Sequence, residues 1–190
     1  LLSDEHKVSY NLYKKGEPLQ AFNSHQPLLI HLLNTINEGH VLEFGTGSNS
    51  TPLMHTICGM QKRLLISIET DKKWHNYQSY DSDGHRVLFI DIRELTKLRH
   101  SIFNKKYSIA FVDGSPAGFR QPFLERIKDI ADYIIVHDTE CVVQGIKNCY
   151  NFNFSMFKHV YHFKSAPPMT TLLSNLDEIN MDVLTVFEGV

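Results

Sequence analysis

The stretch HVLEFGTGSNSTPLM, residues 40–54, decides how the rest of this sequence is interpreted. A short apolar run carries Glu43 near its end, and the Gly-Thr-Gly turn at 45–47 then leads into a helix-like segment. A glycine-rich turn between a strand and a helix lets a ligand approach the backbone, and the ligand is often a phosphate. A carboxylate beside that turn repels a phosphate. The stretch therefore predicts a ligand site that suits a pyrophosphate poorly.

Length and composition are those of a globular domain. The 190 residues include 42% hydrophobic and 21% charged side chains, enough for one core. The formal net charge of -2 lacks the basic excess of a general nucleic-acid binder, so we expect no nucleic-acid partner. No apolar run reaches the roughly 20 residues of a membrane span, and no signal-like segment opens the chain. We therefore expect a cytoplasmic protein.

The cysteines and the chain start bear on the setting of the protein. Cys58, Cys141 and Cys149 are odd in number and lack C-x-x-C spacing, which argues against a disulfide framework or a zinc site and favours a reducing compartment. Without a linker or an internal repeat, we predict one domain over residues 1–190. The first residue is Leu1, which fits a processed chain or a domain cut from a longer protein. The oligomeric state stays open.

Short apolar runs alternate with helical patterns along the chain. We predict helices over 24–37, 51–58, 71–80, 94–102, 120–130 and 140–149. We predict strands over 40–44, 63–69, 85–91, 107–113, 132–138, 155–163 and 169–175. Ser24 is the expected N-cap of the first helix. The alternation predicts a doubly wound α/β sheet of seven strands, mostly parallel, with helices on both faces and an antiparallel strand near the C-terminal end.

Each of the five parallel strands carries an acidic residue at or near its carboxyl end. These residues are Glu43, Glu69, Asp91, Asp113 and Asp138. Ligands of open parallel sheets bind along this edge. One acid at a strand end serves as a helix cap as often as it serves a ligand. Five along one rim predict a ligand with an ammonium group, ribose hydroxyls or a metal ion.

Two phosphate-binding patterns suit this acidic rim poorly. A dinucleotide turn reads G-x-G-x-x-G, but here Ser50 stands in the third glycine position after Gly45 and Gly47. Glu43 would also lie close to the phosphates. An NAD-type oxidoreductase is therefore disfavoured. A Walker A loop is excluded, since no G-x-x-x-x-G-K-[ST] occurs.

The motifs at the strand ends, taken in order, resemble the class I S-adenosylmethionine (SAM)-dependent methyltransferase superfamily. The resemblance covers roughly residues 25–175 and rests on VLEFGTGSNS (41–50), LISIETD (65–71), VLFIDIRE (87–94), IAFVDGSP (109–116) and YIIVHDTE (133–140). It implies a Rossmann-like fold, SAM as the cofactor and methyl transfer as the reaction. SAM has no phosphate and carries an ammonium group, which agrees with the acidic rim.

The resemblance also implies cofactor contacts for individual residues. The residues concerned are Glu43, Gly45, Gly47, Ser48, Glu69, Asp91, Ile92 and Asp113. The two glycines would admit the methionine part, and Glu43 would help to hold its amino group through water. Glu69 would accept from both ribose hydroxyls, as a carboxylate can. Ser48 and Ser50 either add hydroxyl contacts or cap the following helix.

The remaining contacts concern the adenine and the sulfonium. Asp91 would lie near the adenine amino group with Ile92 beside the ring, and Asp113 would lie beside the sulfonium. Asn49 stands where many members of the superfamily have a third glycine, and asparagine tolerates the left-handed conformation that such a position favours.

Methyl transfer to an alcohol needs an aligned acceptor and a base within hydrogen-bond reach. The candidate catalytic residues are Asp113, His137 and Asp138, and Arg120 and Glu140 are candidates for binding the acceptor. His137 can act as a base near neutral pH; otherwise it is a strand histidine satisfied by a neighbouring carboxylate. Arg120 either anchors an anionic acceptor or lies on the helix surface.

A metal ion is a further option. Catechol-type O-methyltransferases hold Mg²⁺ with an Asp after the fourth strand and an Asp-Asn pair after the fifth. Asp113 and Asp138 match two of these positions, but Thr139 stands where the asparagine would be. Mg²⁺ stays open and is not favoured.

Together these observations predict a SAM-dependent methyltransferase that acts on a hydroxyl of a sugar, a glycan or another small molecule. Methylation of DNA bases is disfavoured, because the Asn-Pro-Pro-Tyr type of motif after the fourth strand is replaced by VDGSP. Two alternatives remain: a catalytically inert SAM-fold module that serves a partner, and the disfavoured NAD-type oxidoreductase.

Overall fold

The computed structural model describes residues 23–74, 79–97, 101–145, 150–164 and 167–187. The helices are α1 Gln26–Thr35, α2 Thr51–Met60, α3 Ile92–Lys97, α4 Arg120–Ile127, α5 Glu140–Gln144 and α6 Met181–Leu184. The strands are β1 Val41–Phe44, β2 Leu65–Glu69, β3 His85–Phe89, β4 Tyr107–Val112, β5 Ala131–His137, β6 His159–Phe163 and β7 Thr170–Ser174. Short 3₁₀ turns lie at Ser101–Asn104, Ala117–Phe119 and Thr185–Phe187.

The strands form one sheet in the order β3-β2-β1-β4-β5-β7-β6. Strands β1 to β5 are parallel, and β7 is antiparallel to both of its neighbours, β5 and β6. Phe44 is opposite Ile68 on one side and Val112 on the other, so the carboxyl ends of β1, β2 and β4 lie level. The predicted fold class is confirmed. The strand order reverses between β1 and β4, which is where such sheets bind ligands.

The sheet is covered on both faces, and its central strands are mostly apolar. Every residue of β1, β2 and β4 is buried, as expected for parallel strands between two helical layers. One face packs Val41 against leucines of α1 and α2. The other face packs Leu42 and Phe44 against α4, where the rings of Phe44 and Phe123 stack with centroids 4.2 Å apart. Each buried side chain of this size stabilises the fold by about 1.5–3 kcal/mol.

Some helix boundaries differ from the prediction. The helix predicted over 71–80 is a single turn at 72–74, and 75–78 lie outside the described residues. The helix predicted over 94–102 divides into α3 and the turn Ser101–Asn104, with 98–100 outside the described residues. Helix α5 ends early because Gly145 adopts the left-handed conformation, φ 67°, that terminates helices. Of the part predicted beyond it, 146–149 lie outside the described residues.

One expectation about the cysteines is wrong. Cys58 is a free, buried thiol, but Cys141 is disulfide-bonded. Cys149 lies outside the described residues. Because disulfides persist in oxidising compartments, the cysteines no longer support a reducing setting. Among the described residues, no helix combines the length and apolar character needed to cross a membrane.

Candidate active site

A cavity of about 630 Å³ opens at the carboxyl ends of β1, β2, β4 and β5. Its walls are formed by Asn23, His25, Gly45, Thr46, Gly47, Ser48, Asn49, Ser50, Glu69, Trp74, Asp113, Ser115, His137, Asp138 and Pro168. The cavity lies at the reversal of strand order and falls within the usual range for small-molecule sites, about 300–1,000 Å³. Most of the predicted site residues are therefore brought together here.

The two glycines of the β1 turn serve different purposes. Gly45 has φ +95°, and a Cβ there would lie 2.5 Å from Cα of Gly114 in the turn after β4. Gly45 is thus required by the close packing of two backbone turns. At Gly47 an added Cβ would meet only Ser50 Oγ, at 3.8 Å. Because Gly47 has no side chain, it leaves room in the cavity.

Glu43 lies beneath the cavity and is fully buried. Its oxygens accept hydrogen bonds from the hydroxyls of Ser50 at 2.7 Å, Thr51 at 3.0 Å and Ser67 at 2.5 Å. Burial raises the pKa of Glu43 to about 7, although these hydroxyls oppose the shift. The carboxylate thereby ties the turn after β1 to the sheet. Any contact of Glu43 with a cofactor would pass through Ser50, which lines the cavity.

A buried polar chain continues from Glu43 across the sheet. Ser67 contacts His85 Nε2 at 2.8 Å, and His85 Nδ1 contacts His55 Nδ1 at 3.0 Å. Ser67 donates its one proton to Glu43, so His85 donates from Nε2 and accepts at Nδ1. Burial lowers the pKa of His85 to about 4, which keeps the ring neutral. The polar residues inside otherwise apolar strands were the signal for this network, which sequence reasoning missed.

Glu69 ends β2 on the cavity wall with both oxygens already engaged. Oε2 accepts from the backbone N–H and the hydroxyl of Thr46, at 2.9 and 2.8 Å. Oε1 accepts from the backbone N–H groups of Thr70 and Asp71, at 2.7 and 2.8 Å. The Thr46 hydroxyl also lies 2.9 Å from the carbonyl oxygen of Trp74. Its single proton can turn to that carbonyl, which frees a lone pair of Glu69 for a ligand hydroxyl.

The two predicted adenine contacts lie elsewhere. Asp91 forms an ion pair with Arg93 at 2.9 Å and accepts from its backbone N–H at the start of α3. Ile92 packs against the core. Neither is among the described residues that line the cavity. Trp74, which sequence reasoning missed, is on the wall instead, with 48% of its surface exposed.

Arg120 joins the two aspartates at the other end of the cavity. Its Nη2 lies 2.7 Å from Asp113 Oδ1, and its Nη1 lies 2.8 Å from Asp138 Oδ2. The remaining N–H groups donate to the carbonyl oxygens of Gly114, His137 and Asp113 at 2.9, 3.1 and 3.2 Å. Four hydrogen bonds and the ion pair with Asp113 therefore hold the guanidinium at all three of its nitrogens. Arg120 is buried and is not among the described residues that line the cavity, so it does not lie on the helix surface.

His137 connects the aspartates to the segment before α1. Its Nδ1 lies 3.5 Å from Asp113 Oδ2 and 3.4 Å from Asp138 Oδ1. Its Nε2 lies 3.2 Å from Ser24 Oγ, which donates to Pro168 O at 2.7 Å. The Ser24 proton is committed to that carbonyl, so Nε2 donates to Ser24. The contacts of Nδ1 with the two aspartates are attractive only if Nδ1 also carries a proton.

Ser24 is therefore not the helix cap that was predicted. The N-cap residue of α1 is His25, without a side-chain capping bond. Tertiary partners more than 110 positions away take the Ser24 hydroxyl instead. The serine before Pro27 matched a capping pattern, but pattern alone does not show competing tertiary partners.

The two aspartates are partly open to the cavity, and the surroundings of Asp113 favour its charged form. Burial alone would raise the pKa of Asp113, but the contact with His137 and the positive charge of Arg120 outweigh it and lower the pKa below its usual value. Asp138 has φ 59°, a left-handed conformation that is strained for a residue with a Cβ. Side chains of Asp113 and Asp138 are 29% and 20% exposed. A left-handed backbone and partly exposed carboxylates make this end of the cavity a candidate for function.

The residues after Asp138 turn away from the cavity. Glu140 accepts from the backbone N–H of Met169 at 3.2 Å and so holds the turn before β7. Thr139 is fully buried, and its hydroxyl accepts from Thr171 at 2.8 Å. Neither lines the cavity among the described residues. Glu140, predicted to bind the acceptor, supports a loop instead.

These positions do not suit Mg²⁺. The ion prefers six oxygen ligands, but Thr139 bonds to Thr171, and one oxygen of each aspartate is held by Arg120. The remaining oxygens lie 3.5 and 3.4 Å from Nδ1 of His137. The predicted Mg²⁺ ligands Asp113 and Asp138 are adjacent, but they are already organised by an arginine.

No family model and no curated protein matches the chain. Solved structures do. SAH-bound methyltransferase PaMTH1 of Podospora anserina matches with a TM-score of 0.61, 10% identity, and coverage of 93% of this chain and 89% of that chain. The O-methyltransferase TomG of Streptomyces achromogenes, involved in tomaymycin synthesis and solved with SAM, gives 0.59 and 12%, over 93% and 92%. Human methyltransferase-like protein 13 with SAH gives 0.54 and 17%, over 98% and 90%.

This chain has the class I methyltransferase fold. The likeness covers nearly the whole chain at very low identity, so it establishes the architecture. In a methyltransferase fold, the edge that carries Glu69, Asp113 and Asp138 is the ligand edge of the sheet. The cavity found from the geometry lies on that edge.

Proposed function

We propose that this chain is a SAM-dependent methyltransferase, built as a single domain, that methylates a hydroxyl of a sugar or another small molecule. The observation that carries the proposal is the single cavity that joins Glu69 at one end to Asp113, His137 and Asp138 at the other. Its volume of about 630 Å³ leaves space for a nucleoside-sized cofactor and a small acceptor together.

The cavity wall favours SAM over a dinucleotide. Among the described residues that line it, none is lysine or arginine, while Glu69, Asp113 and Asp138 are acidic. A pyrophosphate would meet repulsion there and find no side-chain cation. An ammonium group and ribose hydroxyls suit the same wall. Glu69 would take the ribose, with Gly47 and Ser48 beside the methionine part and Glu43 supporting the turn from below.

The chain's own residues would orient the acceptor and receive its proton. When bound, SAM would supply a methyl group on a sulfonium. Asp113 and Asp138 are the acidic side chains open to the cavity at this end, and each can accept a hydrogen bond from an acceptor hydroxyl. We assign the departing proton to Asp138 Oδ1, which faces His137 at 3.4 Å. Arg120 stays on Oδ2 and fixes the orientation of that carboxylate.

Calorimetry with SAM, SAH and NAD tests the cofactor. We expect saturable binding of SAM and SAH, weakened at least tenfold by Glu69→Ala and unchanged by the exposed control Glu125→Gln. NAD should give no saturable heat. Absence of SAM binding at millimolar concentration would overturn the proposal.

The acceptor class needs a separate measurement. Transfer of a labelled methyl group to a panel of sugars, phenols and other small alcohols should identify at least one substrate. SAM binding without transfer to any member would favour the alternative that the chain is an inert SAM-fold module for a partner.

A further inference from the structure

We infer that Arg120 takes the place between Asp113 and Asp138 that a divalent cation would otherwise hold, so that this end of the cavity is organised without a metal ion. Arg120 is then a positioning residue, since it acts through the two carboxylates. The inference depends on the proposed function in one respect: the proposed function identifies this end of the cavity as the place where the acceptor binds. Its test reads cation binding and needs neither cofactor nor acceptor.

The first support is the geometry of the guanidinium. Its two terminal nitrogens each hold one carboxylate oxygen, at 2.7 and 2.8 Å. Three further bonds to the carbonyl oxygens of Asp113, Gly114 and His137 fix the plane of the group. A planar fork that bridges two carboxylates sets their separation as a shared metal ion would.

The second support is where Arg120 is placed in the fold. It is the first residue of α4 and follows the 3₁₀ turn Ala117–Phe119 directly. Its side chain is only 7% exposed, and its guanidinium lies 5.1 Å from the ring centre of Tyr150. Burying an arginine is costly unless every donor is satisfied. Here four hydrogen bonds and the ion pair with Asp113 offset that cost.

The third support is the missing oxygen ligand. The hydroxyl of Thr139 is bonded to Thr171, whose hydroxyl also contacts His162 Nδ1 at 2.9 Å. This places Thr139 in a separate polar contact between β5 and β7. It would have to break that contact to reach a cation beside Asp138.

Charge balance gives the fourth support. Arg120 already places one positive charge between the two carboxylates, at 2.7 and 2.8 Å from their oxygens. A dication bound to the same carboxylates would lie close to the guanidinium and be repelled by it. One donor atom each from Asp113, His137 and Asp138 lies within 4.8 Å of the others. Removing Arg120 should therefore turn this trio into a cation site.

Titration of MnCl₂, followed by calorimetry and by the electron paramagnetic resonance of free Mn²⁺, tests the inference on the purified wild-type chain. We expect no saturable site below millimolar Mn²⁺, and the same result with MgCl₂. Arg120→Ala should gain one Mn²⁺ site at least tenfold tighter than any binding by the wild type. The double variant Arg120→Ala/Asp138→Asn should lose that site again.

The variants include a check on folding. Far-UV circular dichroism should show the same helix and strand content in all of them, and Arg126→Ala, an exposed arginine of the same helix, should bind no Mn²⁺. If Arg120→Ala does not fold, Arg120→Gln replaces it and the wild-type titration remains decisive. A saturable wild-type Mn²⁺ site that Asp138→Asn removes would overturn the inference, as would an Arg120 variant that folds and gains no site.

Discussion

The carboxyl edge of the sheet holds one fully buried acid, Glu43, and two partly open ones, Asp113 and Asp138, and their surroundings differ. Glu43 is surrounded by three hydroxyls, and burial raises its pKa to about 7. Asp113 is bridged to Asp138 by Arg120, and its pKa is lowered. The difference lies in the surroundings. At Glu43 burial outweighs the three hydroxyls, whereas at Asp113 the contact with His137 and the positive charge of Arg120 outweigh burial. A strand-end carboxylate therefore becomes a scaffold or a reactive group according to what the tertiary structure places beside it.

The largest expected effect that separates the partly open aspartates from the buried Glu43 is on the rate of methyl transfer. Asp138→Ala should lower the turnover number by about 10²–10⁴-fold, because it removes the group assigned to the acceptor proton. SAM affinity should change by less than about threefold, since Asp138 lies at the acceptor end. Single-turnover kinetics and calorimetry measure the two. Unchanged turnover would remove Asp138 from the mechanism.

The next effect is the pH dependence that comes from Glu43. Its pKa is raised in the folded state from the ordinary 4.5 to about 7, so its contribution to stability is complete below pH 4.5 and is lost as the pH rises through 7. The loss should reach roughly 3 kcal/mol. His85 acts in the opposite sense, because its pKa of about 4 destabilises the fold as the pH falls below 6.5.

Glu43→Gln isolates the carboxylate from the histidine. Urea unfolding of both proteins at pH 5, 6, 7 and 8 gives the difference in unfolding free energy. The wild type should lose stability relative to Glu43→Gln as the pH rises across this range. A constant difference would mean that Glu43 is charged at all four values, as Asp113 is proposed to be.

A smaller effect is expected on the other side of the comparison. Arg120→Ala should lower the free energy of unfolding by about 2–3 kcal/mol at pH 7, because it leaves two partly buried carboxylates side by side. The loss should shrink in acid, where those carboxylates take up protons. Arg126→Ala is the control, with an expected change within about 0.5 kcal/mol. A loss that does not vary with pH would mean that Arg120 acts through packing alone.

The smallest contrast is between two serines. Ser67→Ala removes the donor closest to Glu43 and the acceptor of His85, which should cost about 1–2 kcal/mol. Ser24→Ala should cost about 1 kcal/mol, because its partners stay close to the cavity and to water. Thermal unfolding at pH 7 ranks the two. The reverse order would mean that the hydrogen bonds of Ser24 at the acceptor end contribute more to stability than those of Ser67.

The fold could be predicted from the sequence because its signals are local. Apolar strands such as YSIAFV (107–112) and the Gly-Thr-Gly turn each identify one element within a few residues. The parallel order then brings the strand ends to one edge without further information. Glu69, Asp113 and Asp138 were found on this basis, and all three line the cavity.

The sequence did not reveal the side-chain contacts that join distant parts of the chain. Ser24 and His137 are 113 positions apart, and no pattern around Ser24 reveals that distance. Arg120 was interpreted either as an anchor for an anionic acceptor or as a residue of the helix surface, because nothing in FRQPFLERI (119–127) shows that both aspartates face it. Asp91 matched its motif but begins a helix instead. Local sequence predicts which residues lie at the carboxyl edge of the sheet. Contacts between distant segments then determine which loop side chains reach the cavity there.

The protein carries its own optical reporter in the cavity wall. Trp74 is the one tryptophan of the chain, and it is half exposed where the ligand would lie. Its carbonyl oxygen is the alternative acceptor for the Thr46 proton that a ligand hydroxyl would displace from Glu69. Cofactor arrival should therefore be visible as a change in intrinsic fluorescence, without a label.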